Sequence, residues 1–432
     1  MGHVEFRVIA IGTGALALLL AGGCGTPGTD KEGDGTGGRS GVAVNVSPAN
    51  GATQVPPELP VTVGIAGGAL RSVQVRPTNG EPVAGLLSAD HTRWRSRRAM
   101  APGQTYEVTV EAVGPGGKAR RVTSVFSTQR ATQVFALAKI LPSKEATGLT
   151  VGIGMPIMLT FDKPITDRVS VERNLLVQSS KPIEGAWHWW DDKTLAFRPK
   201  VYWPANTKVK LVAQLAGVHG GPGMYGARDY VREFTVGRAR ISHADTTTHQ
   251  MTVKESGKVI RTIPLSAGQG GTWKYYTTNG IHLAMSREDV TTMTSPGIGP
   301  GSPGYYSLTV YDTVRISDTG EYVHGAPWSV GSQGNSNVSH GCVNISPSNA
   351  EWFKDTTLIG DPIIVSGSPR RLDPTNGWGH WQETWPEWLR WSGLRSGFTT
   401  EALAVTLADH ASAKADEADK LKKDTEKKDT PS

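Results

Sequence analysis

Residues 42–130 and 131–238 repeat one order of landmarks, and that repeat limits the fold more than any other feature of the chain. Each copy opens at a proline-bounded turn, Ser47-Pro48-Ala49-Asn50-Gly51 in the first and Leu141-Pro142-Ser143-Lys144 in the second. An apolar strand follows, Pro60-Val61-Thr62-Val63-Gly64-Ile65 and Pro156-Ile157-Met158-Leu159-Thr160-Phe161. Then comes a tryptophan strand, holding Trp94 in one copy and Trp187 and Trp189 in the other. Tyr106-Glu107-Val108-Thr109-Val110 and Lys208-Val209-Lys210-Leu211 alternate apolar and polar side chains, the period of a half-buried strand. Each copy closes on a strand containing Phe126 or Phe234. Strands at this spacing predict two tandem β-sandwiches. With 52 glycines and 27 prolines in 432 residues, a mainly β chain rich in turns is expected. A strand tryptophan in such a module usually packs in the core; a sugar-stacking platform is the competing use.

The two ends read differently. Residues 1–24 carry Arg7, an apolar run over 8–20 too short to span a bilayer comfortably, and Ala21-Gly22-Gly23-Cys24. Small residues before a cysteine resemble a lipoprotein signal. That reading predicts cleavage before Cys24, lipidation of its thiol, and anchoring on the outer face of the cytoplasmic membrane, toward the cell wall. Ordinary secretion is the alternative. Residues 25–41 read as a flexible polar linker, and residues 399–432 as a charged, disordered tail. The net charge of +6 suits an anionic envelope. No nucleic-acid motif accompanies it.

Residues 239–368 read as a third, β-rich domain, and they hold Cys342, the only cysteine besides Cys24. If Cys24 is lipidated, Cys342 is a lone thiol in an oxidising compartment. A thiol must lose its proton to attack a carbonyl, and His324 and His340 are the nearby bases. Residues 287–304, with Pro296, Pro300 and Pro303, predict a long lid-like loop rather than a regular element. Ser346-Pro347 signals a helix start, and residues 361–366 a final strand. In the segment 369–398, Trp381, Trp385 and Trp388 are spaced to share one helix face, predicted to dock on the parent domain.

His324, followed 18 residues later by Cys342 in the string Ser339-His340-Gly341-Cys342-Val343-Asn344, resembles the signature of the L,D-transpeptidases, the YkuD family. The resemblance implies two immunoglobulin-like domains, a YkuD-type catalytic domain and a short C-terminal helical extension packed on it. It implies Cys342 as nucleophile, His324 as base oriented by the Gly325 carbonyl, and His340 in support. The amides of Gly341 and Cys342 would form the oxyanion site. Ser339 and Asn344 would brace the loop, Tyr306 would aim its hydroxyl at substrate, and Trp328 would line the pocket. The implied reaction forms 3→3 peptidoglycan cross-links through an acyl-cysteine and releases D-Ala. Its partners are a tetrapeptide donor stem and a neighbouring acceptor stem, with carbapenems as inhibitors and no cofactor. An L,D-carboxypeptidase, with water as acceptor, would use the same residues, and a non-catalytic wall-binding scaffold is also open. Papain-like and NlpC/P60 peptidases place cysteine before histidine. Sortases need an arginine soon after the cysteine, whereas the first here is Arg370. A zinc site of His324, His340 and Cys342 lacks a fourth ligand.

Overall fold

The computed structural model describes residues 42–403, apart from residues 79, 144–149, 296–297 and 304. Cys24, the linker and most of the charged tail lie outside the described residues.

Two β-sandwiches come first. In one, a four-stranded sheet (Ala43–Ser47, Thr62–Ala66, Arg93–Ser96, Gly85–Leu87) faces a three-stranded sheet (Ala69–Pro77, Thr105–Val113, Ala119–Ser127). The alternation along Thr105–Val113 sends Tyr106, Val108, Val110 and Ala112 into the core. Tyr106 pairs with Phe126 and stacks on its ring at 5.3 Å. The other sandwich has two five-stranded sheets over a core that includes Trp187, Trp189, Phe161 and Phe197. Trp94, Trp187 and Trp189 are buried, so they present no sugar-stacking face.

In the second sandwich the strand Glu184–Trp189 is buried on both sides. Its inner face carries Trp187 and Trp189. Its outer face, Ala186 and His188, is covered by the C-terminal segment, where the Trp388 indole N–H donates to the Ala186 carbonyl at 3.0 Å. The expected docking is thus corrected: the tryptophan segment seals this sandwich as well as touching the catalytic domain. The helix there is short, Trp385–Arg390, because Pro386 confines its start, and Trp381 precedes it. Trp381 donates its indole N–H to the Gly154 carbonyl at 2.9 Å, and the Arg198 guanidinium packs over the rings of Trp381, Trp385 and Trp388. The expected boundary at 398 also moves. Phe398–Thr399 pairs with Glu184–Gly185, and Glu401–Ala402 pairs with Gln178–Ser179, adding an edge strand to each sheet.

The remaining domain sets a five-stranded sheet, ordered Lys258–Pro264, Gln250–Glu255, Arg240–Asp245, Pro362–Ser366 and Gly280–Leu283, against a four-stranded one. The latter runs Ser286–Thr294, Ser307–Arg315, Tyr322–Gly325 and Val343–Ile345. Their core includes Met251, Ile263, Leu265, Val314, Val323 and Val343, closed by Phe353 of the helix Pro347–Thr356. The loop expected over 287–304 is corrected here. Ser286–Thr294 is a nine-residue strand paired along its length with Ser307–Arg315. Its β-branched Val290, Thr291, Thr292 and Thr294 favour that state, and the glycines and prolines that suggested a loop lie beyond it. This domain abuts the second sandwich through Gly152 and Gly154, whose amides donate to Ile359 and Gly360 at 2.8 and 3.0 Å. The approach is close enough that a Cβ on Gly152 would lie 2.1 Å from the Asp361 nitrogen.

Candidate active site

Parallel pairing of Tyr322–Gly325 with Val343–Ile345 sets Val323 against Val343 and His324 against Asn344. Cys342 stands just ahead of that ladder. Gly341, at φ +132, makes the turn into it, a conformation that a side chain would strain. His324, Cys342, Ser339, His340, Gly341, Asn344, Tyr306 and Trp328 all line one cavity of about 470 Å³, so the sequence's separate pieces converge.

His324 is buried, and its Nδ1 donates to the Gly325 carbonyl at 2.9 Å. A carbonyl only accepts, so Nδ1 carries a proton, and in the neutral ring the lone pair is on Nε2. Burial lowers the His324 pKa, against hydrogen bonds to Gly325 and the Asn344 side chain that favour the charged form. Asn344 is itself held: its Nδ2 donates to the Ser329 hydroxyl at 3.1 Å, and its backbone exchanges two 2.9 Å hydrogen bonds with Ser266.

Cys342 Sγ lies 3.7 Å from the Gly320 carbonyl and 4.0 Å from Met293 Sδ. Burial pushes the thiol up to about 12; the Tyr322 backbone N–H opposes that, and the Glu321 carboxylate adds to it. Burial therefore favours the neutral form of both the thiol and the imidazole.

Ser339 clamps the loop, donating its hydroxyl to the Cys342 carbonyl at 2.6 Å and accepting the Gly341 N–H at 3.1 Å. The Gly341 amide is thereby engaged, which differs from its expected place as an oxyanion donor. His340 is exposed, and its ring stacks on Tyr306 at 5.4 Å and leans on Tyr275 at 4.7 Å. Burial and the nearby Cys342 raise the Tyr306 pKa, so its hydroxyl stays protonated. Trp328 is 54% exposed at the rim, its ring centroid 6.0 Å from that of His324.

Among the lining residues that escaped the sequence reading are Met293, Glu321 and Arg370. Met293 was legible in principle, because it lies at a period-two position of the strand Ser286–Thr294. Glu321 is buried and braces the floor, accepting the Thr278 N–H at 2.8 Å on Oε1 and the Thr278 hydroxyl on Oε2. No short motif marks Glu321 or Arg370. Among the described residues no cluster of metal-binding side chains occurs.

A catalytic domain of the YkuD class, carried behind immunoglobulin-like modules, is what this fold and site define. The L,D-transpeptidase catalytic domain matches residues 239–365, and a bacterial Ig domain matches residues 52–219. L,D-transpeptidase 2 of Mycobacterium tuberculosis (strain CDC 1551 / Oshkosh) is 35% identical over 348 residues, covering 80% of this chain and 83% of that one. L,D-transpeptidase 5 of M. tuberculosis (strain ATCC 25618 / H37Rv) is also 35% identical, covering 80% and 76%. A solved structure of the L,D-transpeptidase LdtMt1 in complex with imipenem is 37% identical, with a TM-score of 0.46, over 54% of this chain and 99% of that one. The chain belongs to the L,D-transpeptidase family and is an enzyme of that type.

Proposed function

We propose that the protein forms 3→3 cross-links in peptidoglycan through an acyl-cysteine on Cys342. The observation that carries this reading is the fixed tautomer of His324, which leaves Nε2 basic in the cavity that holds the Cys342 thiol. As a tetrapeptide donor binds, Nε2 takes the thiol proton and Sγ attacks the carbonyl of the third stem residue. The Cys342 amide is the oxyanion donor in this scheme, with Gly341 held by Ser339 to shape the loop. The amine of D-Ala leaves with the proton from His324, giving a thioester. An amine of a neighbouring stem then attacks the thioester, passes its proton to His324 and frees the thiol. Two acyl transfers of similar energy replace one difficult exchange, so no external energy source is needed. His340 keeps Tyr306 stacked over the cavity, with the Tyr306 hydroxyl near the substrate and Trp328 at its mouth.

Water in place of the acceptor amine would make the enzyme an L,D-carboxypeptidase with the same residues. The largely apolar lining, which includes Met293, Ile298, Leu308 and Val310, favours transfer over hydrolysis. A non-catalytic scaffold is disfavoured by the complete thiol and imidazole arrangement. Carbapenems, strained acyl donors, would acylate Cys342. The apolar run over 8–20 and the small residues before Cys24 support export and lipid anchoring, with the linker 25–41 reaching toward the wall. Mass spectrometry of products from tetrapeptide stems tests the function. Cross-linked dimer with D-Ala release is expected, tripeptide alone would make it a carboxypeptidase, and unchanged substrate would refute it.

A further inference from the structure

The Cys342 cavity does not end at Gly320. Thr319 and Arg370 line both it and a second depression of about 390 Å³, which Arg371 also lines. The backbone at this junction is fixed. The Asn279 N–H donates to the Arg370 carbonyl at 2.6 Å, and the Leu372 N–H donates to the Asn279 carbonyl at 2.9 Å. Arg370 Nη1 donates to the carbonyls of Lys274 and Tyr276, both at 3.2 Å, and lies 3.9 Å from Glu321 Oε1. Its other nitrogens hold no partner among the described residues. Arg371 is exposed, and its guanidinium makes no hydrogen bond or ion pair among the described residues.

Two acids, Asp373 and Asp318, also line this depression, and local hydrogen bonds hold both in place. Asp373 accepts from the Thr375 N–H at 2.8 Å and hydroxyl at 2.6 Å, and Asp318 accepts from the Gly377 N–H at 3.1 Å. Glu321 holds Thr278. Arg371 and the outer nitrogens of Arg370 therefore remain available at the edge of the acyl-transfer cavity. An arginine fork matches a carboxylate in shape and charge.

We propose that Arg370 and Arg371 form a subsite for a free carboxylate of a stem peptide, in the depression that opens from the Cys342 cavity past Thr319. The proposal rests on the transpeptidase reading above. One stem must place a carbonyl at Sγ and a second must bring an amine to the same carbon, so two peptide chains converge on the cavity and need separate paths. Stem peptides carry free carboxylates, and donor and acceptor share that chemistry.

The test uses the whole enzyme, with tetrapeptide donors and acceptors whose carboxylates are free or amidated. D-Ala release and cross-linked product are followed separately by mass spectrometry. Arg371→Gln is expected to raise the KM of the free peptide about tenfold, leaving kcat and the amidated peptide unchanged. Wild type should show a matching preference for the free form. A preference seen in D-Ala release without acceptor assigns the subsite to the donor; one seen only in cross-link formation assigns it to the acceptor. Equal use of both forms by wild type, or equal loss with both in the variant, overturns the subsite alone. Wild-type enzyme that releases no D-Ala from any peptide overturns the transpeptidase reading and the subsite with it.

Discussion

His324 and Asn344 face each other across two parallel strands, and Cys342 lines the same cavity two residues ahead of Asn344. A short ladder thus brings together groups that are 18 residues apart in the chain. Burial then acts on both reacting groups. It holds the thiol up at about 12 and lowers the imidazole, so in the proposed mechanism the proton moves as the thiol attacks.

Alkylation of Cys342 by iodoacetamide should therefore climb with pH. Below the thiol pKa the thiolate fraction grows about tenfold per unit, so the rate should rise steadily from pH 7 to 10. A plateau near pH 7 would reveal a preformed thiolate–imidazolium pair instead.

The two histidines should separate in kinetics. His324→Ala removes the buried base and should slow carbapenem acylation by about 10²–10⁴-fold. His340→Ala removes an exposed ring that stacks on Tyr306 and Tyr275, and the loss should stay under about tenfold, a margin well below that of general-base removal. Stopped-flow acylation of both variants checks the order, and a larger loss for His340→Ala would exchange the roles.

The C-terminal seal should contribute much of the second sandwich's stability. Trp388 is fully buried over Ala186 and Ala196. Trp388→Ala should cost about 3–5 kcal/mol, read by denaturant unfolding. A change under about 1 kcal/mol would mean the segment rests on the sandwich without supporting it, since full burial of a large apolar side chain contributes more than that.

That seal also makes stability depend on pH. Burial holds His188 down at about 4 and His380 at about 3, beside Arg198 and Glu383. An unfolded chain protonates both near 6.5. Stability is then full above about pH 6.5 and is lost as pH falls toward the folded values, by about 2 kcal/mol per histidine at pH 5. His188→Gln and His380→Gln should each flatten the melting profile between pH 7 and 5. An unchanged slope in both would place the acid sensitivity elsewhere.

The parts of this fold legible in the sequence were those written locally. The period-two strands around Tyr106 and Val209 and the string from Ser339 to Asn344 each fit within one element. The strand Ser286–Thr294 was hidden by the prolines and glycines just beyond it, which dominate the composition of 287–304. The destination of Trp388 was not legible, because indole spacing gives a face but not the surface it meets. Met293, Glu321 and Arg370 reach the cavity from three distant segments. Only the pairing of strands, a long-range property, brings them there.

The central claim is that Cys342 carries the acyl group, and intact-protein mass spectrometry tests it most directly. Incubated with a tetrapeptide stem and no acceptor amine, then quenched in acid, the wild-type protein should gain the mass of the stem less D-Ala, mapped to the peptide containing Cys342. Cys342→Ala should gain nothing. An adduct that persists in Cys342→Ala, or that maps to another residue of the wild type, would contradict the account.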